Sequence, residues 1–532
     1  MLCAGFLAWA TYAGGGWRGA YVETSQTTSA EEELIEEGIE GPAEGTDAPS
    51  REGELFPSSP VDVDFSDNPS ETNTESVEGA MESGGTNYSS LQGLDAYLEE
   101  NFPETGLPGM GVVVVDAGGI DYEKVMGDIT SDHDTMLIGS LSKSFTALSI
   151  MQLSEAGELD LDAPANQYVD AYGTPDDVTV RMLLNQTSGF GYYDSLDQAT
   201  SGPLKGTFSY ANANYDLLGK IVEAVSGESY ADYVEEHILG PLGMEDSSPS
   251  MEARASAHAY RNYFGWNVAD GFVHEDGDSS WGSASSGYMA TSVADFAKYL
   301  IMYLNQGSAT ALGGAQILSA SGIRQMFLSR VSDPASDTFY GMGWTSYYWE
   351  NGELILSHDG DVENGIARMV IFPERGIAIA IFGDAADSHG GNGSFYEIAD
   401  GIVAKVVGGE AEPVRAEARI EGYVQEDVRL ALLALCAILP LVRIRKWRKS
   451  LHRLDRATVL ARLVILHLLF PLCILAFPFA EGYQWRDVAT FTPDTALVLA
   501  GSALVLFATG FMKAAFLAHA WHGGKEGQDV QA

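Results

Sequence analysis

Apolar positions along the chain fall into three regimes. They are nearly absent over residues 25–88, alternate between helical and strand spacing over residues 91–407, and run together into long stretches after residue 430. In the middle regime, Leu94, Tyr97 and Leu98 make a helical stripe. Residues 110–115 and 122–126 read as strands joined through Ala117-Gly118-Gly119, a hairpin signal. A helix near Ser140 carries Phe145, Leu148, Met151 and Leu153, and residues 178–180 lead into a further helix that a glycine stop at Thr187-Ser188-Gly189 would end. Leu217, Leu218, Ile221, Val222 and Val225 form one apolar face of a helix over residues 215–225, closed by Gly227. Another helix is expected over residues 294–304. After Tyr340-Gly341-Met342-Gly343-Trp344 the spacing changes to strands at residues 353–358, 366–372 and 377–382, the last two joined by a turn at Pro373-Glu374-Arg375-Gly376. Residues 396–407 close the series as a helix. Strands near both ends with helices between them predict an α+β domain, an antiparallel sheet closed by both termini around a helical insertion.

The flanking regimes divide the rest of the chain. Residues 2–17 are uncharged and largely apolar and precede Arg18, so residues 1–22 read as an export signal or short anchor. Residues 23–88, rich in Glu, Asp, Ser, Thr, Gly and Pro, cannot bury enough apolar surface to offset the entropy of ordering and read as a disordered acidic tether. The folded domain is expected over residues 89–410, a linker over 411–427 and a membrane region over 428–532. About three spans are expected in that region, over residues 430–442, 463–480 and 495–512, the first short enough to borrow flanking residues. Arg443, Arg445, Lys446, Arg448, Lys449, Arg453, Arg456 and Arg462 separate the first two, whereas only Arg486 is basic between the second and third. The positive-inside rule therefore places the first connection and the tail in the cytoplasm and the folded domain outside the cell membrane.

Charge narrows the choice of partner. The 532 residues carry a formal net charge of -46, and the soluble part has nothing to neutralise phosphates, which argues against nucleic acid. The lipid bilayer is the expected partner of the C-terminal region. Cys3, Cys436 and Cys473 all lie in apolar segments, so no disulfide framework is expected in the domain. No cofactor and no metal is expected, because His358, His389 and the carboxylates lack ligand spacing.

Candidate chemistry starts at Gly139-Ser140-Leu141-Ser142-Lys143. A serine hydroxyl needs a neighbouring base and waiting oxyanion donors before it can attack a carbonyl at neutral pH. Spacing of i to i+3 puts Ser140 and Lys143 on one helical face. Gly139 would permit a tight entrance from a strand, placing Ser140 in the first helical turn, where unpaired N–H groups favour negative charge. Burial would lower the lysine pKa and make the amine a proton acceptor. Downstream, Tyr210-Ala211-Asn212 precedes a helix and offers a phenol to pass the proton and an amide to hold the lysine and substrate. Tyr260-Arg261-Asn262 and Tyr303-Leu304-Asn305 repeat the pattern, the latter late on an expected helix. His358-Asp359-Gly360 ends an expected strand, and His389-Gly390-Gly391 repeats it.

In this order, the Ser-x-x-Lys, Tyr-x-Asn and His-x-Gly segments resemble the serine hydrolase family of class C β-lactamases, low-molecular-weight penicillin-binding proteins, D-aminopeptidases and related esterases. The resemblance runs over residues 91–407 and is reinforced by Leu183-Leu184, Thr187-Ser188-Gly189, Pro241-Leu242-Gly243-Met244, Ser286-Gly287-Tyr288-Met289-Ala290-Thr291 and Tyr340-Gly341-Met342-Gly343-Trp344. It implies a β-lactamase/transpeptidase-like fold, with Ser140 as acylated nucleophile, Lys143 as its activating amine, Tyr210 as general acid/base and Asn212 as orienting amide. It also implies that the N–H groups of Ser140 and of Asp361, one residue past Gly360, form the oxyanion hole. His358 stands where β-lactamases and penicillin-binding proteins carry the lysine of Lys-Thr-Gly, so the fixed cation for a substrate carboxylate is missing, and Asp361 would add a negative charge at the rim. The expectation is an extracytoplasmic hydrolase cleaving a small-molecule or peptide ester or amide. A D-Ala-D-Ala carboxypeptidase or β-lactamase, or a non-catalytic cell-wall-binding sensor or scaffold, are the alternatives.

Overall fold

A computed structural model describes residues 88–349, 352–451 and 455–526. The expected N-terminal anchor and acidic tether, through residue 87, lie outside the described residues. The described residues start with a helix, Tyr88–Thr105, followed by the hairpin β1 (Gly109–Asp116) and β2 (Gly119–Gly127). Strand β3 (Thr135–Leu137) leads into a single 3-10 turn, Gly139–Leu141, and the helix Ser142–Glu155. The helical insertion contains Asn212–Ser226, the hairpin β4 (Tyr260–Tyr263) and β5 (Trp266–Val268), β6 (Ala290–Ser292) and the helix Val293–Leu304. Strands β7 (Val331–Ser332), β8 (Phe339–Gly341), β9 (Trp344–Tyr348), β10 (Leu354–Val362), β11 (Gly365–Phe372), β12 (Ile377–Gly383) and β13 (Ala385–Ala386) follow, then the helix Gly391–Val406.

Eight strands make one antiparallel sheet in the order β2-β1-β12-β11-β10-β9-β8-β7, so the N-terminal hairpin closes against the C-terminal strands. Side chains alternate across a strand. Val113 and Val115 enter the core shared with the Ser142–Glu155 and Asn212–Ser226 helices, while Val112 and Val114 enter a second core under the Tyr88–Thr105 and Gly391–Val406 helices. Burial on both faces explains why β1 and β12 read as unbroken apolar runs. The two ends of the domain are tied as well: Tyr97 donates to the Glu412 carbonyl oxygen (3.1 Å) and the Val414 N–H to Asn101 Oδ1 (2.8 Å).

Three boundaries differ from expectation. The helix after residue 178 spans only Val180–Leu184, capped by Thr179; the chain turns away at Gln186, whose φ is 57°, before Gly189 is reached. Strand β10 continues past His358 to Val362, because residues 358–362 pair with β11. The expected linker over 411–427 is largely helical, since Ala416–Val442 is one 27-residue helix. Among the described residues, two helices, Arg456–Ala480 and Pro493–His519, are long and apolar enough to cross a membrane. Leu433, Ala437, Phe470, Ile474, Leu499, Ala503 and Leu506 pack them against the apolar half of Ala416–Val442, which leaves Leu432, Leu435 and Val442 exposed.

One close approach positions the site. Strand β10 crosses directly over the turn at Gly139. A Cβ on Gly360 would lie 2.1 Å from the Ile138 carbonyl oxygen, and one on Gly139, whose φ is +53°, would lie 2.4 Å from the Asp361 nitrogen. Only glycine fits where two backbones meet this closely. Gly360→Ala is therefore expected to destabilise the domain by about 1–3 kcal/mol, seen as a lowered unfolding temperature of the full chain in detergent; an unchanged midpoint would show that the strand does not press on the turn.

Candidate active site

Local sequence creates the turn that presents Ser140. The left-handed Gly139 reverses the chain between β3 and the helix, and the 3-10 turn carries Ser140 at its centre, one step ahead of the helix expected to hold it. The Ser142 hydroxyl donates to the Gly139 carbonyl oxygen (2.7 Å) and accepts from the Met289 N–H (3.1 Å). The Ile138 N–H donates to the Met289 carbonyl oxygen (3.1 Å). The backbone at Met289 is thus laced to both sides of the turn.

Lys143 follows one helical turn later and is fully buried. Its Nζ donates to Ser140 Oγ (3.0 Å), to Asn212 Oδ1 (2.7 Å) and to the Ser286 carbonyl oxygen (2.5 Å). An ammonium has three N–H donors, and all three have acceptors from different segments. Burial pushes the amine down to about 7, and the negative charge of Asp216 acts in the opposite direction. Tyr210 donates to Ser140 Oγ from the other side (2.8 Å). The serine oxygen therefore lies between an amine and a phenol, which polarises the hydroxyl and provides a route for its proton.

Tyr210 sits in a loop, so its position needs other anchors. The Gln186 carbonyl oxygen accepts from the Ser209 N–H (2.8 Å), Gln186 Oε1 accepts from the Ala211 N–H (3.0 Å), and Ser188 Oγ donates to Asn214. Gln186 thus braces the Tyr-x-Asn loop, and Ser188 of the Thr187-Ser188-Gly189 motif ties to the helix that follows it rather than ending a helix.

His358 lies on the pocket side of β10, its ring 6.4 Å from that of Tyr210. Nδ1 meets the Asp359 carbonyl oxygen (2.7 Å), and Nε2 faces the Tyr340 hydroxyl (3.3 Å). Burial, then the charge of Lys143, pushes the imidazole down to about 4, so at neutral pH it carries no charge. The Asp361 backbone N–H is beside Gly139, but its side chain corrects the expectation of a rim charge. Strand alternation turns Asp359 and Asp361 to the opposite face from His358 and Gly360. There Asp359 pairs with Arg368, and Asp361 Oδ2 accepts from Asn392 Nδ2 (2.5 Å). Burial, followed by the charges of Glu363, Asp387 and Asp359, pushes the Asp361 carboxyl up to about 8.

The rival motifs lie elsewhere. Tyr260-Arg261-Asn262 forms β4, paired with β13; Tyr303-Leu304 end the Val293–Leu304 helix; His389 pairs with Asp387 at the start of the Gly391–Val406 helix. Sequence reading missed Asp216, which is buried and accepts from Ser283 Oγ (2.6 Å). Its spacing from Asn212, i to i+4 on one helix, was the available signal. Burial raises Asp216 to about 6, its bonds to Ser283 and Ser286 and the charge of Lys143 acting against that rise.

A profile of the Beta-lactamase family matches residues 92–399. The chain is similar to "Protein flp" of Staphylococcus aureus strain MW2, 23% identical over 464 residues that cover 79% of this chain and 89% of the relative. It is also similar to penicillin-binding protein 4 of Amycolatopsis lactamdurans, 27% identical over 270 residues, covering 46% of this chain and 70% of that protein. Among solved structures, the octameric penicillin-binding protein homologue from Pyrococcus abyssi superposes with a TM-score of 0.50 at 26% identity, covering 60% of this chain and 78% of that one.

Neutral Lys143 can accept the Ser140 proton, so reactivity of Ser140 is expected to rise with pH through about 7. Asp216 raises the pKa of Lys143, so Asp216→Asn should move this acidic limb to lower pH. The rate of fluorophosphonate labelling against pH measures it, and a limb that stays put or moves up would break the link between the two residues.

Proposed function

The chain belongs to the Beta-lactamase family, and from that membership we propose that it is a membrane-held extracytoplasmic serine hydrolase that cleaves an ester or amide through an acyl-enzyme on Ser140. The observation that carries this reading is the approach of Lys143 Nζ and Tyr210 Oη to the same serine oxygen, at 3.0 and 2.8 Å. In the proposed reaction Ser140 Oγ attacks the carbonyl carbon while its proton passes to the Lys143–Tyr210 pair. The backbone N–H groups of Ser140 and Asp361 hold the developing oxyanion. Tyr210, the more exposed of the pair, then protonates the leaving oxygen or nitrogen, and the C–O or C–N bond breaks. Water attacks the acyl-enzyme, gives a proton to the same pair, and Ser140 leaves with that proton restored. Asn212 holds the amine in line and offers its Nδ2 to the substrate.

The expected substrate has a neutral group where a β-lactam or D-Ala-D-Ala peptide carries a carboxylate. Uncharged His358 supports this, because a carboxylate buried beside it would lack a counter-charge. Asp361 adds nothing to the choice, its carboxyl being on the far face of the strand. For the membrane part, the two long apolar helices and the basic run between Arg443 and Arg462 support a multi-pass arrangement, with the apolar half of Ala416–Val442 as a third span.

Labelling of the purified full chain tests the reading. A fluorophosphonate is expected to label the wild type and not Ser140→Ala, and a fluorescent penicillin to label weakly. Tyr210→Phe should lower turnover of an activated ester about a hundredfold or more. Strong penicillin labelling would favour the carboxypeptidase or β-lactamase alternative, and labelling by neither reagent would leave a scaffold.

A further inference from the structure

The segment between the two apolar helices, residues 481–492, does not stand apart from the domain. It holds the short helix Trp485–Phe491, closed at its start by a capping box between Gln484 and Asp487, and it docks beside the candidate active site. Arg486 donates to the Ser279 carbonyl oxygen, and Arg261 to that of Thr490 (3.2 Å). The Phe264 N–H donates to Asp494 Oδ2 (2.9 Å), at the very start of the Pro493–Glu526 helix. These polar ties place a row of aromatic rings side by side. Phe491 meets Trp281 edge-on (5.2 Å between centroids), Trp281 packs on Tyr192 (5.7 Å) and donates to its carbonyl oxygen (2.9 Å), and Tyr192 lies 6.2 Å from Tyr210, which touches Ser140. A second contact joins Tyr193 to Tyr483 (4.9 Å).

Phe491 is two residues from the start of an apolar helix whose candidate span runs to His519, so it belongs at the headgroup level of a bilayer. The β4–β5 hairpin, tied to the same helix through Phe264, carries Trp266 just past its turn, 76% exposed, flanked by exposed Phe264 and Val268. An exposed tryptophan beside a span suits the interface between acyl chains and water. The aromatic row thus runs from the start of the apolar helix to the serine.

We propose, building on the hydrolase reading, that the 481–492 segment forms the outer wall of the substrate cleft and that the cleft takes a substrate anchored in the outer leaflet: an amphiphile with its apolar part in the bilayer and a neutral ester or amide at headgroup height. The ring faces of Trp281 and Phe491 give such a molecule an apolar path, and neutral His358 suits the absence of a carboxylate.

The test uses the full chain in nanodiscs and two probes, a water-soluble umbelliferyl ester and the same ester joined through a short polar linker to a palmitoyl chain. Wild type is expected to hydrolyse the anchored probe about tenfold faster at equal bulk concentration, and Phe491→Ala to bring this ratio back towards one, with Tyr483→Ala as the second variant should the first fail to fold. A wild-type ratio near one, or a ratio unmoved by a folded variant, overturns the proposal while fluorophosphonate labelling of Ser140 leaves the hydrolase reading standing. Absence of labelling in wild type removes both. Independently of catalysis, a fluorophore on Trp266→Cys, with the native cysteines replaced, should be quenched by spin-labelled lipid; no quenching would put the hairpin in bulk water and overturn the membrane-facing cleft.

Discussion

Burying an amine with no exposed surface is expensive unless each of its N–H groups has an acceptor, and that constraint organises this domain. Lys143 meets it by drawing on the turn at Ser140, the helix at Asn212 and the strand approach at Ser286, three segments spread over nearly 150 positions. None of the three can shift without leaving an N–H unsatisfied, so the same bonds that make the amine tolerable fix the geometry around the serine. The balance between burial and Asp216 then sets where the amine titrates. A more solvated lysine would stay protonated at neutral pH and serve only as a charge.

The sheet adds a second constraint through backbone approach rather than charge. Gly139 and Gly360 bring β10 onto the turn, which places the Asp361 N–H next to the serine backbone, while strand alternation keeps the Asp359 and Asp361 carboxyl groups on the far side with Arg368 and Asn392. The strand therefore delivers a donor to one face and disposes of two acids on the other. His358, on the donor face between Tyr340 and its neighbour's carbonyl, is kept neutral by burial and by the charge of Lys143. The rim thus has donors without a fixed cation.

Local motifs were legible because each rests on short-range geometry. Ser140 and Lys143 follow from helical spacing, the β1–β2 hairpin from its Gly-Gly turn, and the Asn212–Ser226 helix from its apolar face and left-handed Gly227. What failed needed tertiary information. Residues 358–362 extend β10 because β11 pairs with them, which apolar periodicity could not report across Asp359 and Asp361. The face taken by Asp361 was nevertheless available, since a two-residue alternation starting from an inward His358 sends it outward. Gln186 was invisible for a different reason: its role lies in a positive φ and two bonds to a loop more than twenty residues away, and no local pattern marks either. The helix ending at Leu184 was misjudged for the same cause.

The continuous helix Ala416–Val442 changes how the two ends of the molecule relate. A flexible linker would let the domain sample many heights and tilts above a bilayer, whereas this helix leaves the domain beside the Gly391–Val406 helix and runs unbroken into the apolar bundle. Its start is held by the domain itself: Arg419 donates to the Glu104 carbonyl oxygen (3.2 Å), and the Tyr423 ring lies against Gly265 of the β4–β5 turn. The 481–492 segment makes a second attachment through Arg261 and Phe264. Two attachments at separate points resist rotation in a way that one cannot, so the orientation of the serine relative to the apolar helices is a property of the fold. An enzyme serving only freely diffusing substrates gains nothing from such rigidity, whereas one whose substrate is confined to a surface depends on it, because the reacting carbonyl then arrives at one height and from one side.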